Sequence, residues 1–125
     1  MRRIFFALAF LLFSLSAHAL QVQPYTAERL AALQQEGKPV ALHFHAGWCG
    51  TCAEQERVLN KMKTDNELPA LTLLVVDYDA NKPLRKQLKV ASQSVFVVYK
   101  GKNEVARGGG DTRADAIRAL LSKAL

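Results

Sequence analysis

The pattern of hydrophobic and polar positions divides the chain near residue 20. Residues Ile4–Leu15 are almost entirely apolar, two arginines precede them, and Ala17 and Ala19 supply small side chains at the positions that a signal peptidase reads. A dozen helical residues span about 18 Å, well short of the roughly 30 Å hydrocarbon core of a bilayer. We therefore expect 1–19 to be a signal peptide cleaved after Ala19, which predicts a periplasmic protein without stable membrane insertion.

The remainder, 20–125, alternates between apolar runs and amphipathic stretches. The predicted elements are a helix over 27–36 capped by Thr26, a strand over 40–45, a helix over 50–64, a strand over 71–77, a basic helix through 88, strands over 95–100 and 104–107 joined by a turn, and a last helix capped by Asp111 or Thr112. Strands joined through a helix are parallel and a hairpin is antiparallel. The pattern predicts one α/β domain, with a mixed sheet of about four strands and helices on both faces.

Composition narrows the function classes only modestly. Half of the residues are apolar, as a packed core requires, and the formal net charge is +6. Loss of the two arginines of the signal peptide leaves a net charge of +4. Such a mild excess, without interleaved aromatic residues, argues against a nucleic-acid partner. We expect that the protein uses no organic cofactor, because the sequence contains no cofactor fingerprint. We also expect a monomer.

Candidate chemistry lies in the segment Trp48-Cys49-Gly50-Thr51-Cys52, where a strand leads into a helix. The first sulfur lies at the helix N-terminus, where unpaired amides and the positive end of the helix dipole stabilise a thiolate. Cys49 is therefore the predicted nucleophile. Cys52 lies one turn further on, close enough to attack a mixed disulfide on Cys49, so it is the predicted resolving thiol. A purely structural disulfide across so short a loop would contribute little stability.

A metal-binding carrier is the alternative. His43 and His45 lie on the same face of the strand that leads into the cysteine pair, and four nitrogen and sulfur donors suit zinc or copper. Against this alternative, the chain has a single Cys-x-x-Cys motif, and a histidine in a central strand is more often a hydrogen-bonded core residue. We therefore predict no metal ligands.

The segment Phe44–Cys52 after an apolar strand resembles the active-site segment of the thioredoxin family, and the resemblance extends over about 23–125. Lys38–Val40 and Tyr99–Gly101 look closest to periplasmic members such as the C-terminal domain of the interchange protein DsbD. The resemblance implies a thioredoxin fold, thiol–disulfide exchange with protein substrates and Cys49 as the exposed attacking thiol. It also implies a membrane electron donor of the DsbD type.

Three places depart from the family pattern: His43, Ser94 and the pair Gly50-Thr51 between the cysteines. His43 stands six residues before the first cysteine, where thioredoxins usually carry a buried acid that takes a proton from the resolving thiol. A neutral imidazole whose pKa is lowered by burial could act as this base. Ser94 replaces the proline of a loop that faces the cysteines, and because a cis bond before a non-proline residue is costly, we expect Gln93–Ser94 to be trans.

The resemblance also implies a surface that binds the substrate. Its predicted members are Trp48, Gly50, Thr51, Ser94, Val95 and Gly109.

Thr51 brings no cation to the Cys49 thiolate, so the reduced form gains less stabilisation than in strong oxidants. We therefore expect a reductant or an electron carrier.

Overall fold

The computed structural model describes residues 20–65, 67 and 70–125, so the predicted signal peptide over 1–19 lies outside the described residues. The elements are β1 (Gln21–Pro24), α1 (Ala27–Gln35), β2 (Pro39–His45), α2 (Gly50–Thr64), β3 (Thr72–Asp77), α3 (Lys82–Leu88), β4 (Val95–Lys100), β5 (Asn103–Gly109), α4 (Ala114–Leu121) and a 3₁₀ turn (Ser122–Ala124). Within this part of the chain, no helix is long and apolar enough to cross a membrane.

The five strands form one mixed sheet in the order β1-β3-β2-β4-β5. β3 is parallel to both β1 and β2, whereas β4 is antiparallel to both β2 and β5. β2 lies in the middle of the sheet, and Val40–Phe44 are buried along it. The parallel crossover from β2 to β3 and the closing hairpin are confirmed. The expectation that strands joined through a helix are parallel is wrong for β3 and β4, because β4 follows α3 but runs antiparallel to β2.

Helices cover both faces of the sheet. Leu59 of α2 and Leu121 of α4 pack with Phe96 in a core on one face. Leu33 of α1 lies in a separate core on the other face, against which Leu88 of α3 packs. Each fully buried side chain of this size contributes about 1.5–3 kcal/mol relative to an exposed one. The core that contains Leu59 holds α2 against the sheet and so fixes the position of the helix that carries the cysteines.

The prediction of about four strands is wrong by one, because β1 was not recognised. This strand has four residues, pairs on one side only and contains a single apolar residue, Val22, before Pro24 ends it. Such a short edge strand has no alternation of apolar and polar positions by which it could be recognised. Its addition to β3 leaves the fold class unchanged.

The two predicted helix caps have different outcomes. The Thr26 hydroxyl accepts a hydrogen bond from the amide of Arg29, 3.0 Å away, so the first cap is confirmed. The last helix begins later than predicted, with Arg113 at its N-cap position and no capping side chain. The Asp111 carboxylate instead accepts hydrogen bonds from the amide and the guanidinium of Arg113. The prediction that Asp111 or Thr112 caps this helix is therefore wrong.

Candidate active site

Cys49 lies at the N-terminus of α2, at the edge of the sheet where β2 ends. Its amide donates a hydrogen bond to the carbonyl of Ala46, 3.1 Å away, which closes the turn between strand and helix. Cys49 has an extended backbone at the N-cap, and its Sγ accepts a hydrogen bond from the amide of Cys52 at 3.1 Å. The sulfur thus occupies the place of a capping oxygen, where the amide and the helix dipole stabilise negative charge.

Cys49 and Cys52 form a disulfide, with their Cα atoms 5.3 Å apart. Cys52 is fully buried and Cys49 is 6% exposed, so the expectation of an exposed attacking thiol is wrong, although Cys49 is the more accessible cysteine. The burial arises because Ala46 and Tyr78 pack around the pair. Cys52 Sγ lies 3.8 Å from the carbonyl oxygen of Phe44, which can accept a hydrogen bond from the thiol after reduction.

Trp48 is the most exposed large apolar side chain in the described part of the protein, at 64%. Its indole Nε1 donates a hydrogen bond of 2.7 Å to Asp79 Oδ2 in the loop after β3. Gly50 and Thr51 are exposed beside it. These three predicted substrate-binding residues therefore form an open surface next to the disulfide, and Asp79 holds the orientation of the indole.

Ser94 is buried in the loop before β4, and the peptide bond that precedes it is trans, as expected. Its φ of 63° lies in the left-handed region, which a non-glycine residue adopts at a cost of about 1–3 kcal/mol. The Ser94 amide donates to the carbonyl of Phe44 at 2.8 Å. Because Cys52 Sγ approaches that same carbonyl, the Ser94 loop lies directly beside the cysteine pair.

Val95 and Gly109 lie at the end of the sheet that adjoins this loop. The register places Val95 between Phe44 of β2 and Gly109 of β5, so its backbone lies inside the sheet rather than at an open edge. A Cβ on Gly109 would lie 3.0 Å from Val95 Cγ2 and 3.6 Å from the Ser94 oxygen. The absence of a side chain at Gly109 thus allows β5 to approach the loop closely.

His43 is buried on the α2 side of β2. Its ring stacks on Phe96 with the ring centroids 4.3 Å apart, and its Nε2 lies 2.8 Å from Gln55 Oε1. Burial lowers its pKa from 6.5 to about 4, so the imidazole is neutral at pH 7, as the sequence predicted. Gln55 lies one turn of α2 beyond Cys52, so the hydrogen bond of His43 is directed to the next turn of the helix and not to the thiol.

His45 follows two residues later on the same face but faces Glu56, with 3.3 Å between Nε2 and Oε2. In the described ranges, no group of three or more His, Cys, Asp or Glu side chains is arranged to hold a metal ion. The four-donor alternative of His43, His45, Cys49 and Cys52 is therefore not assembled. The sulfurs lie at the start of α2, whereas the two imidazoles contact side chains of its second turn.

This arrangement is suited to reversible two-electron exchange, since it pairs a thiol at a helix N-terminus with a second thiol one turn behind it. A sequence model of the family described as Thioredoxin matches residues 21–123. This chain belongs to the thioredoxin family. It is a thioredoxin-like thiol–disulfide oxidoreductase, in which Cys49 and Cys52 form the redox-active pair and protein thiols and disulfides are the substrates.

Individual members of the family agree with this assignment. The thioredoxin of Chlamydia trachomatis is 34% identical over 84 residues, which cover 67% of this chain and 80% of the relative. The crystal structure of Trxlp from Edwardsiella tarda has a TM-score of 0.74 and 31% identity, and the match covers 81% of this chain and 98% of that one. Thioredoxin NaTrxh from Nicotiana alata, at 23% identity and a TM-score of 0.68 over 86% of this chain and 96% of that one, shares the fold. The predicted likeness to the C-terminal domain of DsbD stays a prediction.

Two residues near the redox pair of this thioredoxin-family protein were missed in the sequence. Asp79 could have been found, because it follows a strand parallel to β2 and so lies at the same edge of the sheet as Trp48. Gln55 could also have been found, because it lies three residues after Cys52 and three before Val58 and so shares the helix face of these buried residues. In the structure it is fully buried.

Proposed function

We propose that this protein is an exported oxidoreductase that works in the periplasm as a reductant or an electron carrier. In this proposal a membrane protein of the DsbD type reduces the Cys49–Cys52 disulfide, and the resulting dithiol reduces disulfides of exported proteins. The observation that carries the proposal is the position of Cys49 Sγ at the N-cap of α2, with the fully buried Cys52 behind it.

The surroundings of Cys49 favour a reductant over a strong oxidant. A strong oxidant needs a reduced form in which the thiolate is highly stabilised, commonly by a cationic neighbour. The Cys49 sulfur accepts its hydrogen bond from the backbone amide of Cys52, and Gly50 and Thr51 between the cysteines carry no charge. An amide and a helix dipole stabilise the Cys49 thiolate less than an added cation would. Its disulfide is correspondingly harder to reduce, so its dithiol is the better reductant.

The proposed cycle transfers two electrons from the dithiol to the substrate. The Cys49 thiolate attacks one sulfur of a substrate disulfide, forms a mixed disulfide and releases the other substrate sulfur as a thiolate, which takes up a proton. The thiol of Cys52 then loses its proton and attacks Cys49 Sγ, which releases the second substrate thiolate. The Cys49–Cys52 disulfide is formed and the substrate is reduced. A dithiol donor reverses these steps on this protein.

His43 is the proposed base for the proton of Cys52. Burial lowers the pKa of His43 to about 4, so an imidazolium formed there gives up its proton readily at neutral pH. The imidazole can therefore pass this proton on but cannot store it at neutral pH. Since Nε2 faces the oxygen of Gln55, the nitrogen that would accept the proton is Nδ1.

Export is supported by the first nineteen residues, with their two arginines, apolar stretch and Ala17-His18-Ala19 end. The proposal also includes a monomeric state. Apart from Trp48, the large apolar side chains that are exposed in the described part of the chain, namely Val22, Val105 and Leu125, lie on separate elements. Scattered single residues of this kind are normal on monomers.

One experiment tests compartment and direction together. The full chain is expressed in a Gram-negative bacterium, its periplasmic fraction is trapped with acid and alkylated, and the mass reports both the N-terminus and the two thiols. We expect a periplasmic chain that begins at Leu20 and carries mainly reduced Cys49 and Cys52, and that becomes oxidised when the membrane donor is deleted. Retention in the cytoplasm would overturn export. A periplasmic chain that stays oxidised in the presence of the donor would overturn the reductant role.

A further inference from the structure

Gln55 is a fully buried amide on the second turn of α2 that bonds three other parts of the fold. Its Nε2 donates to the carbonyl oxygens of Ser94 and Asp111, at 3.1 and 3.0 Å, and its Oε1 lies 2.8 Å from His43 Nε2. Both amide hydrogens are thus used on acceptors, which fixes the orientation of the side chain. Because its oxygen can only accept, His43 Nε2 carries the proton.

The bond to Ser94 restrains the strained residue of the loop beside the cysteines. The Ser94 carbonyl accepts from Gln55 and from the Gly110 amide at 3.1 Å, while the Ser94 amide donates to the carbonyl of Phe44. Ser94 is thereby held on both sides at its positive φ. A conformation of this cost persists only where surrounding contacts enforce it. Gln55 is the side chain that supplies such a contact from the helix of the redox pair.

The loop matters for large substrates because Cys49 is nearly buried. With 6% of Cys49 exposed, a disulfide within a folded protein can reach its sulfur only if the substrate surface rests on the neighbouring residues. Ala91 and Ser92 of this loop are exposed, and Gln93 and Val95 are half-buried. A small disulfide reagent needs much less of this surface, so the two kinds of substrate report on the loop differently.

We propose that Gln55 is a positioning residue for the reaction with protein substrates, because it fixes the Ser94 loop against the cysteine pair and holds His43 as its Nε2–H tautomer. The role rests on the oxidoreductase activity of Cys49 and Cys52 and does not depend on its direction or compartment. Gln55 touches neither the reacting sulfurs nor the substrate. It acts through Ser94 and His43.

The test compares a protein disulfide with a small one. Gln55→Met keeps the length of the side chain and removes its three hydrogen bonds, and Gln87→Met is the matched control because Gln87 is exposed on α3. Each variant is assayed for kcat and KM with insulin in the presence of dithiothreitol. In a separate single-turnover reaction, the variant is reduced, freed of dithiothreitol and mixed with 5,5′-dithiobis(2-nitrobenzoate), and the rate of attack by Cys49 is measured. We expect Gln55→Met to lower kcat/KM for insulin about tenfold, mainly through KM, and to leave the small-reagent rate within about twofold. Gln87→Met should change neither rate.

Equal losses on both substrates, or no loss on insulin, would overturn the positioning role. If the wild-type protein oxidises proteins instead of reducing them, the same two classes of substrate are compared in that direction. The experiment can therefore reject the proposed reductant function without rejecting the positioning role of Gln55, and the reverse.

A second measurement needs no substitution and covers the case in which Gln55→Met does not fold. The ¹⁵N chemical shifts of His43 in the wild-type protein at pH 7 distinguish a protonated from an unprotonated ring nitrogen. We expect a protonated Nε2 and an unprotonated Nδ1. The opposite tautomer would contradict the amide orientation on which the proposal depends.

Discussion

The first and second turns of α2 differ in the sequence separation between their residues and the groups that these residues bond. Cys49 and Cys52, in the first turn, bond each other directly, through the disulfide and through the hydrogen bond from the Cys52 amide to Cys49 Sγ. Gln55, in the second turn, bonds residues 12, 39 and 56 positions away in the sequence. The reacting groups are thus arranged locally, whereas the surface on which a substrate rests is arranged by contacts between distant segments. Substitutions in the two turns should therefore have effects of different kind and size.

The largest effect is expected in the first turn. Cys49→Ser removes the attacking thiolate and should lower protein-disulfide reduction by more than about a thousandfold. Cys52→Ser should also stop turnover, but it leaves Cys49 able to attack, so a mixed disulfide with the substrate accumulates and is seen by mass spectrometry without reductant. Mixed disulfides that form on Cys52 in the Cys49→Ser variant would reverse the two assigned roles.

The next effect concerns stability and pH at the second turn. The pKa of His43 is lowered to about 4 in the folded protein, so between about pH 6.5 and pH 4 the unfolded chain binds a proton that the folded chain does not. The free energy of unfolding therefore falls by about 3 kcal/mol as the pH is lowered from 6.5 to 4.

The measurement for this pH effect is urea unfolding at several pH values for the wild type and His43→Phe. Between about pH 6.5 and pH 4, the free energy of unfolding of the wild type should fall by about 3 kcal/mol more than that of the variant. Asp111, whose pKa is lowered to about 2 by the Arg113 guanidinium and amide, contributes its own loss below its ordinary pKa of 3.8 and so outside this window. Parallel pH curves for the two proteins would show that His43 is not held neutral by burial.

A smaller effect connects the two turns. His43→Phe keeps an aromatic ring against Phe96 but has no nitrogen to accept the proton of Cys52. We expect the resolution of a preformed mixed disulfide on Cys49 to slow about tenfold. Removing a stronger base would slow this step more, because the low pKa of His43 makes it a weak proton acceptor. The rate is followed by stopped-flow fluorescence of Trp48 from pH 5 to 9. A resolution rate equal to that of the wild type at every pH would eliminate His43 as the base.

The smallest effect is expected at the exposed rim of the first turn. Asp79→Ala removes the acceptor of the Trp48 indole, and a hydrogen bond at an exposed position contributes at most about 1 kcal/mol. Since Trp48 is the only tryptophan in the chain, its fluorescence anisotropy reports the added mobility directly. Asp79→Asn retains an acceptor oxygen and is the control. Equal anisotropy for the wild type and Asp79→Ala would show that Asp79 does not orient the indole.

The sequence predicted the elements whose signals are local. The helix over 50–64 was predicted with its exact bounds, because its apolar positions recur at helical spacing and Cys49 begins it. β1 was missed, because four residues with one apolar side chain contain no periodic signal. The hydrogen bonds of Gln55 could not be predicted, because two of them go to carbonyl groups that only the folded chain brings to α2.

A redox titration tests most directly whether Cys49 and Cys52 exchange electrons as a reducing pair. The protein is equilibrated with graded ratios of reduced and oxidised glutathione, and the two thiols are counted by alkylation and mass spectrometry. We expect one two-electron transition with a potential below about −230 mV. A potential above about −180 mV, or a pair that never forms its disulfide reversibly, would contradict it.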